Sequence, residues 1–315
     1  MSFKIVLGFF AAAALVSCAG VSAPPLSAVQ GDSQRAVWAF QGVKHRDLLY
    51  ISDVPYIDVY SYPDGGYVGQ IQGSYPYGLC VNAGGDVYVV EEFSSPRITE
   101  YAHGASKPKR TLAYPGFVPT QCTVDPATGN LVAIAGAGAA RTRSGSGHVI
   151  ALYPQGRGRG RHLRVTGLDY LEYACYDDKS DLFIIGQLAT KPALVEMPRG
   201  KKGFETIALD EEAQNRIRSA GAIQWSGNEL AIANGTFYND SKIDRLSIVG
   251  TKAHFRNETS LGSYGDVGPF WIEANRVVAP ENAGAYIWRY PKGGKPLVTI
   301  GLSDGDGVVV SLARK

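Results

Sequence analysis

A unit of about 45 residues recurs along most of the chain, and it constrains the fold more than any other feature, because so short a repeat cannot bury a core alone and must stack on its neighbours. The clearest copy is PYGLCVNAGGDVYVVEEFSSPRITEYAHGASKPKRTL, Pro76 to Leu112. It reads as an apolar strand, a Gly turn, a second alternating strand, a loop, a third strand ending in an aromatic, a Gly/Pro turn and a short fourth strand, the order of an antiparallel meander. VPTQCTVDPATGNLVAIA followed by HVIALYPQG and RHLRVTG repeats it, as does LEYACYDDKSDLFIIG followed by ALVEMPRG and FETIAL. AGAIQWSGNELAIAN with IDRLSIVG, and PFWIEANRVVAPEN with YIWRYPKGGKPLVTI, continue the series.

The two ends of the repeat region complement each other. Its first part starts with a second strand, DLLYISD, then IDVYSYPDGG and VGQIQG, while GDGVVVSLA near the C-terminus is a first strand with nothing after it. Joining them makes a sixth unit. The expected fold is therefore all-β, a six-bladed propeller of four-stranded blades closed by the C-terminal strand pairing into the first blade, which removes the open edges of a meander. Aligning the first strands puts Leu79, Cys122, Ala174, Ile223, Ile272 and Val308 at one position, with Val81, Val124, Tyr176, Trp225, Ala274 and Val310 two residues on, as the strand period requires. These side chains are expected to fill the spaces between blades.

Units that run Pro or Gly, a short apolar strand, Asp or Asn, Gly and an alternating strand resemble NHL repeats and the wider six-bladed group that includes the SMP-30-like lactonases. The resemblance covers nearly the whole chain after its N-terminal segment, through short and permissive motifs. It implies the architecture and, for a lactonase, a Glu, an Asn and an Asp converging on Ca²⁺ or Zn²⁺ that polarises the substrate carbonyl.

The chain opens MSFKIVLGFFAAAALVSCAG, one Lys, an apolar run from Ile5 to Val16 and then small residues. This is the pattern of a signal peptide, too short to span a bilayer comfortably. Leu15-Val16-Ser17-Cys18 resembles the lipobox of bacterial lipoproteins, which implies lipidation at Cys18; cleavage after a small residue such as Ala23 is the alternative. Ala19 in place of Asp implies an outer-membrane or outer-surface address, the outer membrane (periplasmic or surface side) if the source is Gram-negative. Residues 1–17 are thus read as signal peptide, 18–35 as a flexible tether too poor in large apolar groups to order itself, and 36–315 as the propeller. A net charge of +2 and export argue against a nucleic-acid partner.

Cys80, Cys122 and Cys175 remain beyond the anchor, an odd number in a compartment that permits disulfides. One bridge at most can form among them. All three fall on equivalent strands, and a packing role as small buried apolar groups is the preferred expectation over a bridge.

Loops joining fourth to first strands and second to third strands share one face, where ligands enter the channel in proteins this chain resembles. Asp53, Glu91, Glu92, Gln187, Asn234, Glu281 and Asn282 are expected there, beside Tyr75, Tyr77, Phe117, Tyr170, Glu172, Phe270 and Trp271. Asp53, Glu91, Asn234 and Glu281 are the candidate hard-oxygen ligands for Ca²⁺ or Zn²⁺; the alternative for each is a turn cap bonded to backbone N–H groups. The five histidines are scattered and form no HxxxH or His-x-Glu pattern, and GxSxG, Walker and CxxC motifs are missing. Two further loops stand out: a Gly-rich insertion with Arg141 and Arg143, and Gly156 to Arg164 with Arg157, Arg159, Arg161 and Arg164 on the opposite face. The expected function is a lipid-anchored binding or scaffold module that takes an envelope protein, peptide or glycan on its aromatic face and meets the membrane only through its lipid. A metal-dependent lactonase or hydrolase is the alternative.

Overall fold

The structure, a computed structural model, describes residues 42–92, 96–113, 115–135, 149–219, 221–234, 241–262, 268–281, 284–302 and 305–314. The segments read above as signal peptide and tether, with Cys18, and the Arg141 and Arg143 loop, His148 and Asn282 lie outside the described residues. Gln34–Lys315 forms one compact unit.

Blade 1 contains β1 (Leu48–Asp53), β2 (Tyr56–Ser61) and β3 (Tyr67–Gln72). Blade 2 is β4 (Pro76–Val81), β5 (Val87–Glu91), β6 (Arg97–Tyr101) and β7 (Pro108–Leu112). Blade 3 is β8 (Gln121–Val124), β9 (Leu131–Ile134), β10 (Val149–Tyr153) and β11 (Arg161–Arg164). Blade 4 is β12 (Tyr170–Tyr176), β13 (Leu182–Leu188), β14 (Lys191–Met197) and β15 (Glu205–Leu209), followed by the short helix α1 (Glu211–Arg216). Blade 5 is β16 (Ile223–Ser226), β17 (Glu229–Asn234), β18 (Ser241–Val249) and β19 (Lys252–Gly262); blade 6 is β20 (Trp271–Glu273), β21 (Arg276–Glu281), β22 (Gly284–Arg289) and β23 (Val298–Ile300). The final strand, β24 (Gly307–Ser311), pairs antiparallel with β1, Leu48 facing Ser311 and Ser52 facing Gly307, and so becomes the first strand of blade 1.

The innermost strands touch one another in the order β24, β4, β8, β12, β16, β20 and back to β24, which closes the ring. Each seam between blades is filled by its own apolar cluster. Leu79 lies in the cluster between blades 1 and 2, Cys122 between 2 and 3, Ala174 between 3 and 4, Ile223 between 4 and 5, Ile272 between 5 and 6, and Val308 between 6 and 1. The alignment of first strands therefore holds at all six positions. Of the residues two further on, Ala274 departs. β20 stops at Glu273, and Ala274 sits in a two-residue turn with φ 51 rather than on a strand. The equivalent turn of blade 5 uses Gly227 and Asn228, both at positive φ, the requirement of a tight hairpin whose twist matches its strands.

Strand parity explains the cysteines. Cys80 follows Leu79 and so points away from the seam of blades 1 and 2, into the seam of blades 2 and 3, where Cys122 points back at it. The two form a disulfide with Cα atoms 5.6 Å apart, which corrects the expectation that all three cysteines only pack. Cys175 has the parity of Cys80 but faces Ile223, and it stays a buried thiol whose pKa is pushed up by desolvation and by Asp177.

Blades 4 and 5 are further joined at their outer edges, because β15 pairs parallel with β19 through Ala208–Lys252 and Leu209–Ala253. Asp210 terminates this pairing and caps α1, its carboxylate accepting from Ala213 N at 2.8 Å and Phe255 N at 3.2 Å. The helix carries Glu211 and Glu212 in its first turn and Arg216 in its last, the polarity that the helix dipole favours.

Candidate functional site

The two faces of the ring differ in construction. On the first face the innermost strands begin and the second strands end; on the second face lie the turns that join first to second and third to fourth strands. The second-face turns of blades 2 to 4 are tied by side chains. Asn82 Oδ1 accepts from Gly84 N and Asp86 N, both at 2.9 Å, and Asp177 Oδ1 accepts from Lys179 N at 2.9 Å and Asp181 N at 2.8 Å. Asp125 accepts from Ala127 N at 3.0 Å and from Ser180 Oγ of the next blade at 3.0 Å. Asp and Asn in these repeats therefore supply turn caps.

Asp53, Glu91, Asn234 and Glu281 end second strands on the first face, on blades 1, 2, 5 and 6. The structure does not assemble them into a centre: among the described residues no three His, Cys, Asp or Glu side chains gather where a metal ion fits. Glu91 is buried and ion-paired with Arg97, while Oε1 accepts from Ser74 N at 2.8 Å and Oε2 from Thr99 Oγ1 at 3.3 Å. Asn234 Nδ2 donates to Asp244 Oδ2 at 2.7 Å and to the Arg216 carbonyl at 2.8 Å, fastening the end of α1 to blade 5. Glu281 is buried at its strand end opposite Gly284. Asp53, half-buried, faces Tyr56 across its hairpin, and its charge adds to burial in raising Asp58 to about 6.

The aromatic set divides. Phe117 and Phe270 are buried in the seams of blades 2 and 3 and of blades 5 and 6, so they are core residues and not ligand platforms. Tyr75 and Tyr170 stand exposed at 43% and 47%. Tyr77 and Glu172 are half-buried near the mouth of the channel, where both, with Asp306, lie close enough to the half-buried Tyr173 to add to the upward shift of its phenol, which desolvation dominates. Trp271 is half-buried and packs against the clusters on both sides of blade 1. At Gly186, opposite Tyr170 and Leu171, an added Cβ would come within 1.9 Å of the Tyr170 carbonyl oxygen, so glycine there lets the Tyr170 backbone close in.

Tyr75 has an unusual backbone. Its φ is 89, a left-handed value that a bulky side chain adopts at a cost of about 1–2 kcal/mol. The conformation is clamped from both sides: Ser74 N is held by the Glu91 carboxylate, and Glu92 N donates to the Tyr75 carbonyl at 3.1 Å. Glu91 is thus a positioning residue for the Tyr75 loop, a role that strand-end chemistry alone did not reveal.

A cavity of about 340 Å³ occupies the channel. All six innermost strands line it, with Tyr173, Tyr176, Trp225, Phe270 and Trp271 as its large aromatics and the Cys80–Cys122 bridge in its wall. It extends to the second face, between Asn82, Ala83 and Gly85 of blade 2, Pro126 of blade 3 and Leu312, opposite to the face expected to admit ligands. Gln224 in this wall is fully engaged: Nε2 donates to the Ile272 carbonyl at 2.9 Å and Oε1 accepts from Ile272 N at 2.6 Å, bridging blades 5 and 6. Trp225 stacks on Phe183 with ring centroids 5.6 Å apart.

Blade 4 carries an electrostatic liability at its second-face end. Glu196 sits directly across the strand pair from Glu205, and burial, followed by the charges of Asp181, Asp177 and Glu205, raises Glu196 to about 7. The folded state therefore holds this proton more tightly than the unfolded chain, whose glutamates titrate near about 4.3. The stabilisation from that proton is complete below the unfolded value and is lost as pH rises through about 7. Glu196→Gln is expected to be about 1 kcal/mol more stable than the parent at pH 8 and to show no gain at pH 4, after allowance for solvent screening. Urea midpoints at the two pH values check this.

No family model matches the chain, and no curated protein matches it. Among solved structures, TolB from Acinetobacter baumannii superposes with a TM-score of 0.60 at 12% identity over 85% of this chain and 66% of that one. Hydrazine synthase from Kuenenia stuttgartiensis gives 0.53 at 9% identity over 75% of this chain and 70% of that one. At such identities the likeness is one of fold. The fold is an all-β propeller.

Proposed function

We propose that the protein is an exported binding propeller, tethered to the cell envelope through a lipidated Cys18, that takes a protein, peptide or glycan on its first face through Tyr75, Tyr77, Tyr170 and Trp271. The observation that carries this reading is Tyr75. Its ring adds little to the core, yet the fold holds it exposed on a left-handed backbone that glycine would adopt without strain, using a buried carboxylate and a neighbouring amide to do so. Tyr170, also exposed, and the half-buried Tyr77 and Glu172 give the same face the amphipathic rings and polar groups that suit a recognition surface. The apolar run ending at Leu15-Val16-Ser17-Cys18 supports export and anchoring. The side-chain-capped turns of blades 2 to 4 support kinship with NHL-repeat propellers.

The test is capture from isolated envelopes with the parent and with the Tyr75→Ala/Tyr170→Ala variant as bait. Recovery of the parent's partner should fall about tenfold or more while the melting temperature is unchanged, since neither ring is buried. Equal recovery by the two baits overturns the assignment of this face.

A further inference from the structure

The chain enters the propeller on the second face. Residues 42–47 lie beside the turn of blade 2 that carries His103, whose Nε2 meets the Arg46 carbonyl at 3.0 Å, and Asp47 O accepts from Tyr62 N in the third-to-fourth-strand turn of blade 1. The same face is basic at its rim. Arg157, Arg159 and Arg161 of blade 3 and Arg199, Lys201 and Lys202 of blade 4 are all exposed on neighbouring third-to-fourth-strand turns, and none of their side chains forms an ion pair with a described residue. Lys107, Lys252 and Lys292 place an exposed cation on the corresponding turns of blades 2, 5 and 6. Several acidic groups of this face are drawn inward, Asp86 paired with Lys109 and Asp125 and Asp177 capping turns, while Asp64, Asp178 and Glu205 are exposed near the rim and Glu196 is half-buried beside Glu205.

Apolar side chains stand among these cations. Val249, at the tip of the long blade 5 hairpin three residues before Lys252, is 62% exposed, and Leu297, two residues after Lys295, is 42% exposed. Tyr67 and Leu312, also exposed, end strands on the same side.

We propose that this face docks on a membrane whose surface carries anionic phosphate headgroups. A ring of turn tips meets a flat surface at many points. Exposed Val and Leu side chains between Arg and Lys suit the boundary between headgroups and acyl chains, which a soluble polyanion does not offer. The inference builds on the envelope reading above, since a lipid at Cys18 would keep the propeller close to a membrane surface that a basic face attracts.

Residues 34–315 contain the whole closed ring and both strands that close it, so the isolated propeller can be tested without Cys18. It is sedimented with vesicles of phosphatidylcholine alone, or with about 30 mol% phosphatidylglycerol, at about 50 and 500 mM salt. Binding is expected only to the anionic vesicles and only at low salt. Arg157→Gln/Arg159→Gln/Arg161→Gln should lower the partition coefficient by roughly 100-fold, and Val249→Ser should lower it without altering the salt dependence. Equal binding to phosphatidylcholine, parental binding by the triple variant, or binding to soluble polyphosphate but not to vesicles overturns the proposal. Failure of the anchor reading has a separate signature, the absence of palmitate incorporation at Cys18 in the full chain, which leaves the vesicle result unaffected.

Discussion

Removal of Asp306 to Lys315 is expected to abolish the cooperative thermal transition and leave an aggregating chain. β24 is buried throughout, and Val308, Val309 and Val310 fill the seams on both sides of blade 1. Burial of three valines contributes about 5–9 kcal/mol, comparable to the whole stability of a typical domain. The loss also strips β1 of one of its two partners, exposing a strand edge that carries Leu49, Tyr50 and Ile51. Circular dichroism melting and size-exclusion chromatography check the outcome. Removal of Arg314 and Lys315 alone, which takes away the side-chain bond from Arg314 to the Gly84 carbonyl, should leave a folded protein; a cooperative melt in the longer truncation would show that the ring does not depend on this closure.

The second large effect concerns the bridge in the channel wall. Cys80–Cys122 closes a loop with a sequence separation of 42, for which the chain-entropy account gives about 4 kcal/mol of stabilisation. The Cys80→Ala/Cys122→Ala variant should unfold at a correspondingly lower urea midpoint, and reduction of the parent should reproduce that shift. Cys175→Ala, which removes only a small buried thiol, should shift the midpoint far less. In the isolated propeller a thiol reagent should find one group after unfolding without reductant; three would show that the bridge does not form.

The architecture was legible because burial enforces it. A residue such as Ile223 or Val308 has to face a neighbouring blade in every repeat, so a period of two along the strand and about 45 between repeats records the seams directly. Even the disulfide was implicit in the parity of Cys80 against Leu79, although five residue types sharing one strand position concealed it. Features that break the repeat were harder to see. Ala274 reads as a strand residue until the shortness of β20 places it in a turn, and α1 was signalled only by Asp210 followed by two glutamates. The site was less legible still. Phe117 and Tyr75 are aromatics in equivalent connections, yet one is buried by its seam and the other held outward by Glu91, a difference set by tertiary neighbours and not by either residue's identity. Glu91 and Asn234 have the chemistry of metal ligands, but Arg97 pairs with the Glu91 carboxylate, and Asn234 is fixed through Nδ2 to Asp244.

The parallel pairing of β15 with β19 makes the ring mechanically uneven. The other described seams rely mostly on side chains, through the Ser180–Asp125 bond, the Gln224 clamp or the disulfide, with the main-chain bond from Gly294 N to Ser260 O at 2.9 Å between blades 5 and 6, and such seams part when a few contacts are lost. Blades 4 and 5 share main-chain bonds, from Ala208 N to Thr251 O at 2.8 Å and from Asp210 N to Ala253 O at 3.0 Å, and they behave as one cooperative unit of eight strands. When the ring breathes, that arc moves as a rigid body, and slow hydrogen exchange should persist there after the amides of blades 1 and 6 have been labelled.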